Sequence, residues 1–145
     1  MNRFPLFIDL TGKPVTIVGG GKIGLRRAEV LLRFGARVTV VSPTLDHPLE
    51  GIIHRSRPYE AGDLEGAFLA ISAADSAAVN SAVEAEARRL GILFNRADDQ
   101  RRCDFFFPAV CEGEGLIAGV VGDGRDHHKT AEAARRIRKT LEELS

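Results

Sequence analysis

Tryptophan is missing from this 145-residue chain, tyrosine and methionine occur once each, and cysteine occurs twice. The two cysteines, Cys103 and Cys111, are eight positions apart, a spacing that matches no zinc pattern. Both read as small apolar residues that a reducing compartment keeps as thiols. Neither sign of charge is in excess: 20 Lys and Arg balance 20 Asp and Glu. That balance gives no overall field toward nucleic acid or an anionic membrane. No apolar run approaches the ~20 residues that span a bilayer. The opening "MNRFPLFIDL" lacks the apolar core and small-residue cleavage site of a signal peptide. A cytoplasmic protein with no nucleic-acid or membrane partner is expected. The length fits one domain, or one domain with a small appendage.

What the chain does have is glycine in an ordered context. "KPVTIVG" (13–19) reads as a buried strand, β-branched and ended by glycine. "KIGLRRAEVLLRFG" (22–35) reads as a helix that Gly35 stops. "ARVTVVSP" (36–43) is a second strand, "GIIHRSR" (51–57) a third and "GAFLAIS" (66–72) a fourth. "DSAAVNSAVEAEARRLG" (75–91) is an Ala-rich helix with Asp75 as its expected N-cap, and "ILFN" (92–95) is a fifth strand. Alternating strands and helices predict a parallel sheet with right-handed crossovers. The pattern then changes. Residues 103–124 read as two strands joined by the Glu-Gly turn at 112–115, and 126–144 as a final helix with Asp126 at its N-cap. The expected fold class is α/β: a Rossmann-like parallel sheet with helices on both faces, a small strand-rich element and a terminal helix. The expected division is 1–102 and 103–145.

Gly19-x-Gly21-x-x-Gly24 ends a strand and opens a helix. The first glycine permits the tight turn, the second lets the backbone approach a pyrophosphate, and the third lets helix and strand pack closely. The helix N-terminus, with Lys22 and Ile23 in its first turn, offers free N–H groups to the phosphates. A tight turn that binds nothing is the bland alternative, and the agreement of strand, glycines and helix argues against it. The acidic residue that ends the second strand in many NAD sites is absent: Ser42 and Pro43 stand there. Ser42 offers a weaker hydrogen bond to a ribose, and Asp46 is a spare candidate. Chemistry at this position does not separate NAD from NADP.

"FPLFIDLTGKPVTIVGGGKIGLRRAEVLLRFGARVTVVSP", "AISAADSAAVN" and "FNRADDQRRCDFFFPAV" are together similar to the precorrin-2 dehydrogenase family, the N-terminal module of siroheme synthases. The similarity runs to about residue 124. It implies oxidation of precorrin-2 to sirohydrochlorin with NAD, and in some members Fe²⁺ insertion as well. Two departures accompany it. The family's Gly-Gly-x-Ser-Pro segment is replaced by "GDGRDHHKTAEAARRIRK", and its further C-terminal helical domain is expected to be absent.

Ligands on open α/β sheets bind beyond the carboxyl ends of the strands. The loops Gly19–Gly24, Ser72–Asp75 and Asn95–Asp99 are expected to converge there. Gly19, Gly21, Lys22, Ile23, Gly24, Ser42, Pro43, Ala74, Asp75 and Asn95 are the expected cofactor residues. Asp98 matches the family's aspartate in an Asn-x-x-Asp loop and is the expected proton acceptor; a turn-capping aspartate is the alternative. A polycarboxylate tetrapyrrole needs cationic hosts, and Arg96, Arg101, Arg102 and Arg125 are the candidates. The His127-His128 pair makes a poor chelate, and no metal site is expected. Phe105-Phe106-Phe107 is apolar on both faces of a strand, which points to a homodimer through residues 103–124. A non-catalytic NAD(H)-binding module is the second functional reading, and a dehydrogenase that is also a ferrochelatase the third.

Overall fold

In a computed structural model that describes residues 2–144, the chain divides into two compact units. The larger, Ile8–Phe105, carries five strands in the order β3-β2-β1-β4-β5, all parallel. They are β1 (Pro14–Val18), β2 (Arg37–Ser42), β3 (Ile53–Ser56), β4 (Leu69–Ser72) and β5 (Leu93–Arg96). Between them run α1 (Lys22–Arg33) and α2 (Ala77–Leu90). The strand order reverses beside β1: α1 leads outward to β2, and α2 serves the other half, linking β4 to β5. Right-handed crossovers in opposite directions put the two helices on opposite faces.

The central strands are apolar on both sides because both faces are covered. Val15, Ile17, Val40, Ala70 and Ile71 are fully buried. From α1, Leu25, Ala28 and Leu31 turn inward, and Gly35 follows the helix at φ +82°. Gly91 ends α2 in the left-handed conformation, as its sequence context implies. The start of α2 differs from expectation. Ser76, not Asp75, caps it, its hydroxyl accepting from the Val79 N–H at 3.3 Å. Asp75 is thereby left one residue outside the helix, on the loop.

No regular helix joins β3 to β4. The connection is held by the buried Asp63, which accepts from both ends of the Arg57 guanidinium (2.8 and 2.6 Å) and from the Glu60 N–H (2.8 Å). Leu64 next to it fills the core. A 3-10 turn, Gln100–Arg102, follows β5 and is capped by Asp99.

The smaller unit begins at Phe106 and includes the residues before Ile8, whereas the sequence pattern placed the break after residue 102. Strands β6 (Ala109–Gly113) and β7 (Leu116–Val120) pair antiparallel through a turn at Glu114–Gly115, both with positive φ. Helix α3 (His127–Glu142), capped by Asp126 as expected, packs on β6 through Cys111, Ala134 and Leu141. No helix of the described residues is long and apolar enough to cross a membrane.

A candidate dinucleotide cleft and its supporting network

A cleft of about 500 Å³ opens at the carboxyl ends of β1, β2 and β4, where the strand order reverses. That volume lies within the ~300–1,000 Å³ of small-molecule sites. The glycine turn forms its floor. Gly19 holds φ +125°, and a Cβ there would collide with the Ala73 carbonyl. A Cβ on Gly24 would strike the Gly19 carbonyl, so α1 can close on β1 only with glycine at that position. Gly21 is different: a Cβ would meet nothing within 4 Å. It lines the cleft and stands at the N-cap of α1, where no side chain caps the helix. The first intrahelical bond is Leu25 N–H to Gly21 O, so the amides of Lys22, Ile23 and Gly24 have no partner within the helix. An uncapped helix end below a cradle bare of side chains fits a diphosphate.

Of the expected cofactor residues, Gly19, Gly21, Ser42, Pro43, Ala74 and Asp75 line the cleft. Lys22 and Ile23 follow Gly21 at its edge, and Gly24 is buried beneath the turn. Ser42 also holds the loop after β2. Its hydroxyl donates to the Thr44 carbonyl at 2.8 Å, and His54 Nε2 lies 2.9 Å from the Ser42 carbonyl, a contact that requires the ring N–H. The hydroxyl hydrogen therefore fixes the loop after β2.

Asn95 is inside β5 and 4% exposed. Its Oδ1 accepts from Arg27, and its Nδ2 donates to the Phe105 carbonyl at 2.9 Å. Arg96 is also interior, at 8% exposed. It donates to Asp98 (2.6 Å) and Ser81 (3.1 Å), so its guanidinium is engaged inside the fold. Arg102 forks onto the buried Glu84 (2.8 and 2.9 Å). Arg101 is 89% exposed and pairs with Asp99. Arg125, in the smaller unit, is 89% exposed and pairs with Asp123.

Asp98 does not line the cleft; it is 40% exposed and joined through Asn80 to Ala74, which does. Arg96 and, secondarily, the Asn80 amide hold its carboxyl below the usual carboxylate range, so it is ionised at neutral pH. Asn80, 1% exposed, also accepts from the Ala74 N–H and donates to the Ala74 carbonyl, both at 3.0 Å. One amide side chain thus joins the cleft-lining loop to Asp98.

Several lining residues escape the sequence pattern: Gly20, Thr44, Pro58, Tyr59 and Val79. Tyr59 donates its hydroxyl to Glu86, and burial is the main reason its pKa rises far above the usual phenol value. The loops after β2 and β3 also leave the carboxyl ends of strands. The rule that pointed to the other three loops points to these two as well.

A glycine turn, an uncapped helix end and a cleft at the switch point define a dinucleotide-binding α/β domain. Residues 6–109 match the family described as "Putative NAD(P)-binding". A multifunctional siroheme biosynthesis protein, HemA, of Ruminiclostridium josui is 40% identical over 144 residues, covering 94% of this chain and 28% of that protein. The siroheme synthase of Photobacterium profundum is 37% identical over 150 residues, 99% of this chain and 31% of that one. Among solved structures, SirC, a precorrin-2 dehydrogenase, superposes with a TM-score of 0.78 at 25% identity, over 97% of this chain and 72% of that one. The chain belongs to this NAD(P)-binding family, and the siroheme synthases align with nearly its whole length. The expected cofactor, NAD, is in keeping with that membership. The chain spans about 30% of the length of the curated relatives it matches.

Proposed function

We propose that the chain is an NAD-dependent dehydrogenase module that oxidises precorrin-2 to sirohydrochlorin in siroheme synthesis. The observation that carries this reading is the bare glycine cradle under an uncapped helix end, in a chain that aligns almost end to end with siroheme synthases. NAD, when bound, takes up the hydride that leaves the substrate. The amides of Lys22, Ile23 and Gly24 hold the diphosphate, and Asp75 and Ala74 bound the cleft on the β4 side. Asp98 takes the proton. Its carboxylate is ionised and 40% exposed, and the Asn80–Ala74 link ties it to the cleft wall. Arg101 and Arg125, both exposed, are the candidates for the substrate's carboxylates. Arg96 and Arg102 support the fold instead.

The same carboxylate would serve a ferrochelatase, and that alternative shares every residue named here. A homodimer through the smaller unit is also part of the proposal. Leu116 and Ile117 on β7 are each 49% exposed, an apolar edge that a second copy would cover. Sedimentation in the micromolar range reads that state, and a monomer there removes it.

The test is an anaerobic assay with precorrin-2 and NAD⁺, following NADH fluorescence and Fe²⁺ uptake together. The dehydrogenase produces NADH, and Asp98→Asn lowers the rate about 100-fold or more. Nucleotide binding without NADH formation leaves the non-catalytic module. Fe²⁺ uptake that Asp98→Asn abolishes adds the chelatase.

A further inference from the structure

We infer that Asp46 is the residue that selects NAD over NADP, by accepting the adenosine ribose hydroxyls. The inference rests on the nucleotide-binding part of the function above and is independent of Asp98. In a sheet of this order the adenosine half of a dinucleotide lies toward the end of β2. The usual acidic residue is absent from that strand end. Ser42 is only a neutral, weaker acceptor, and its hydroxyl is already engaged with the Thr44 carbonyl and lies 3.2 Å from His54 Nε2. Pro43 brings no donor or acceptor side chain.

The loop restores a carboxylate four residues on. The Asp46 N–H donates to the Gly20 carbonyl at 2.8 Å, which pins the residue to the middle of the glycine turn. Gly20 must be bare for this: a Cβ there would collide with Thr44 O and Ser42 Oγ, the groups that shape the loop. The Asp46 side chain is 39% exposed and lines the cleft. Its contact with the His47 ring is long, at 3.4 Å, and leaves acceptor capacity for two hydroxyls.

Charge supplies the other half of the argument. The cleft lining carries two carboxylates, Asp46 and Asp75, and no Lys or Arg among the described residues. Vicinal hydroxyls donate to a carboxylate in charge-assisted bonds. A 2′-phosphate in the same place brings negative charge beside the Asp46 carboxylate, on a lining that holds no Lys or Arg.

Fluorescence titration of NADH and NADPH into the full chain, with Asp46→Ser and Asp46→Asn beside it, tests this. The unsubstituted chain binds NADH about tenfold tighter than NADPH or better. Asp46→Ser weakens NADH about tenfold and leaves NADPH unchanged or tighter, so the preference collapses; Asp46→Asn falls between. The side chain is exposed and the anchoring N–H is backbone, so both variants fold, which thermal melting checks. Unaltered NADH affinity in Asp46→Ser overturns the inference, as does equal affinity of the unsubstituted chain for both nucleotides. Absence of binding to either nucleotide overturns it together with the nucleotide reading. An intact preference without precorrin-2 turnover removes the dehydrogenase reading alone.

Discussion

Asn80 Nδ2 lies 3.2 Å from Asp98 Oδ2, and the same side chain closes on both backbone groups of Ala74. Asn80→Ala leaves the Ala74 N–H and carbonyl and one Asp98 oxygen without their side-chain partner at the rim of the cleft. The expected loss is about 1–2 kcal/mol, read by urea denaturation, because three hydrogen bonds from the buried Asn80 are lost while the groups left at the rim regain water. Asn80→Asp is worse at neutral pH than near pH 3. It places a carboxylate against that of Asp98, and a carboxylate has no hydrogen to give the Ala74 carbonyl.

Two glycines of one turn separate fold from binding. Gly19→Ala forces a side chain into φ +125° and against the Ala73 carbonyl. Its backbone conformation alone costs about 1–3 kcal/mol. Gly21→Ala has neither problem, because φ is −77° and the space is open. Its methyl instead enters the cradle that the diphosphate needs. The expected result is an unchanged melting temperature with NADH affinity weakened about tenfold or more. Melting curves and NADH titration on the two variants read both halves.

Acid stability follows from three carboxylates. Arg102 lowers the Glu84 pKa, Arg57 that of Asp63 and Arg96 that of Asp98, in each case chiefly through a side-chain hydrogen bond. A group with a lower pKa folded than unfolded binds fewer protons in the native state. Its stabilisation is full above the ordinary carboxylate range and is lost as pH falls through the folded value. Urea midpoints are therefore expected to stay level from neutral pH down to about 5 and to drop below it. Glu84→Gln, at a side chain only 6% exposed, lowers the neutral plateau by about 1–2 kcal/mol and flattens the acid limb. An unchanged limb in that variant would assign the acid sensitivity to other groups.

Local signals made much of this fold legible. The β1–glycine turn–α1–β2 unit, the glycine stops at 35 and 91, and the cap at Asp126 depend on residues within a few positions of one another. What stayed hidden depends on distant partners. Glu84 and Glu86 are each 5% exposed on a helix whose pattern gives no reason to bury acids. They are satisfied by Arg102, 18 residues on, and by Tyr59, 27 residues back. Asn95 reads as the end of the fifth strand and Arg96 as part of the loop after it, both with ligand-binding polarity. The β5 pairing instead carries them into the sheet, where Arg27 and Asp98 meet their polar groups. The cleft itself was half legible. Its glycine floor follows from spacing, while its far wall comes from the irregular connection around Asp63.

Tyr59 belongs to that far wall, and two substitutions separate its ring from its hydroxyl. The ring lines the cleft and packs against the core formed by Leu64, Val83 and Phe94, while the hydroxyl donates to Glu86. Glu86 also accepts from the Gly62 N–H at 2.8 Å, so it keeps a partner when the hydroxyl is removed. Tyr59→Phe therefore costs about 1 kcal/mol of stability and leaves NADH affinity within about twofold. Tyr59→Ala removes apolar area from both core and cleft. It costs about 3–5 kcal/mol, as large aromatic truncations do, and weakens NADH about tenfold where folding persists. Denaturation and NADH titration of the pair decide the matter: equal affinities in both variants would mean that the nucleotide makes no use of this wall.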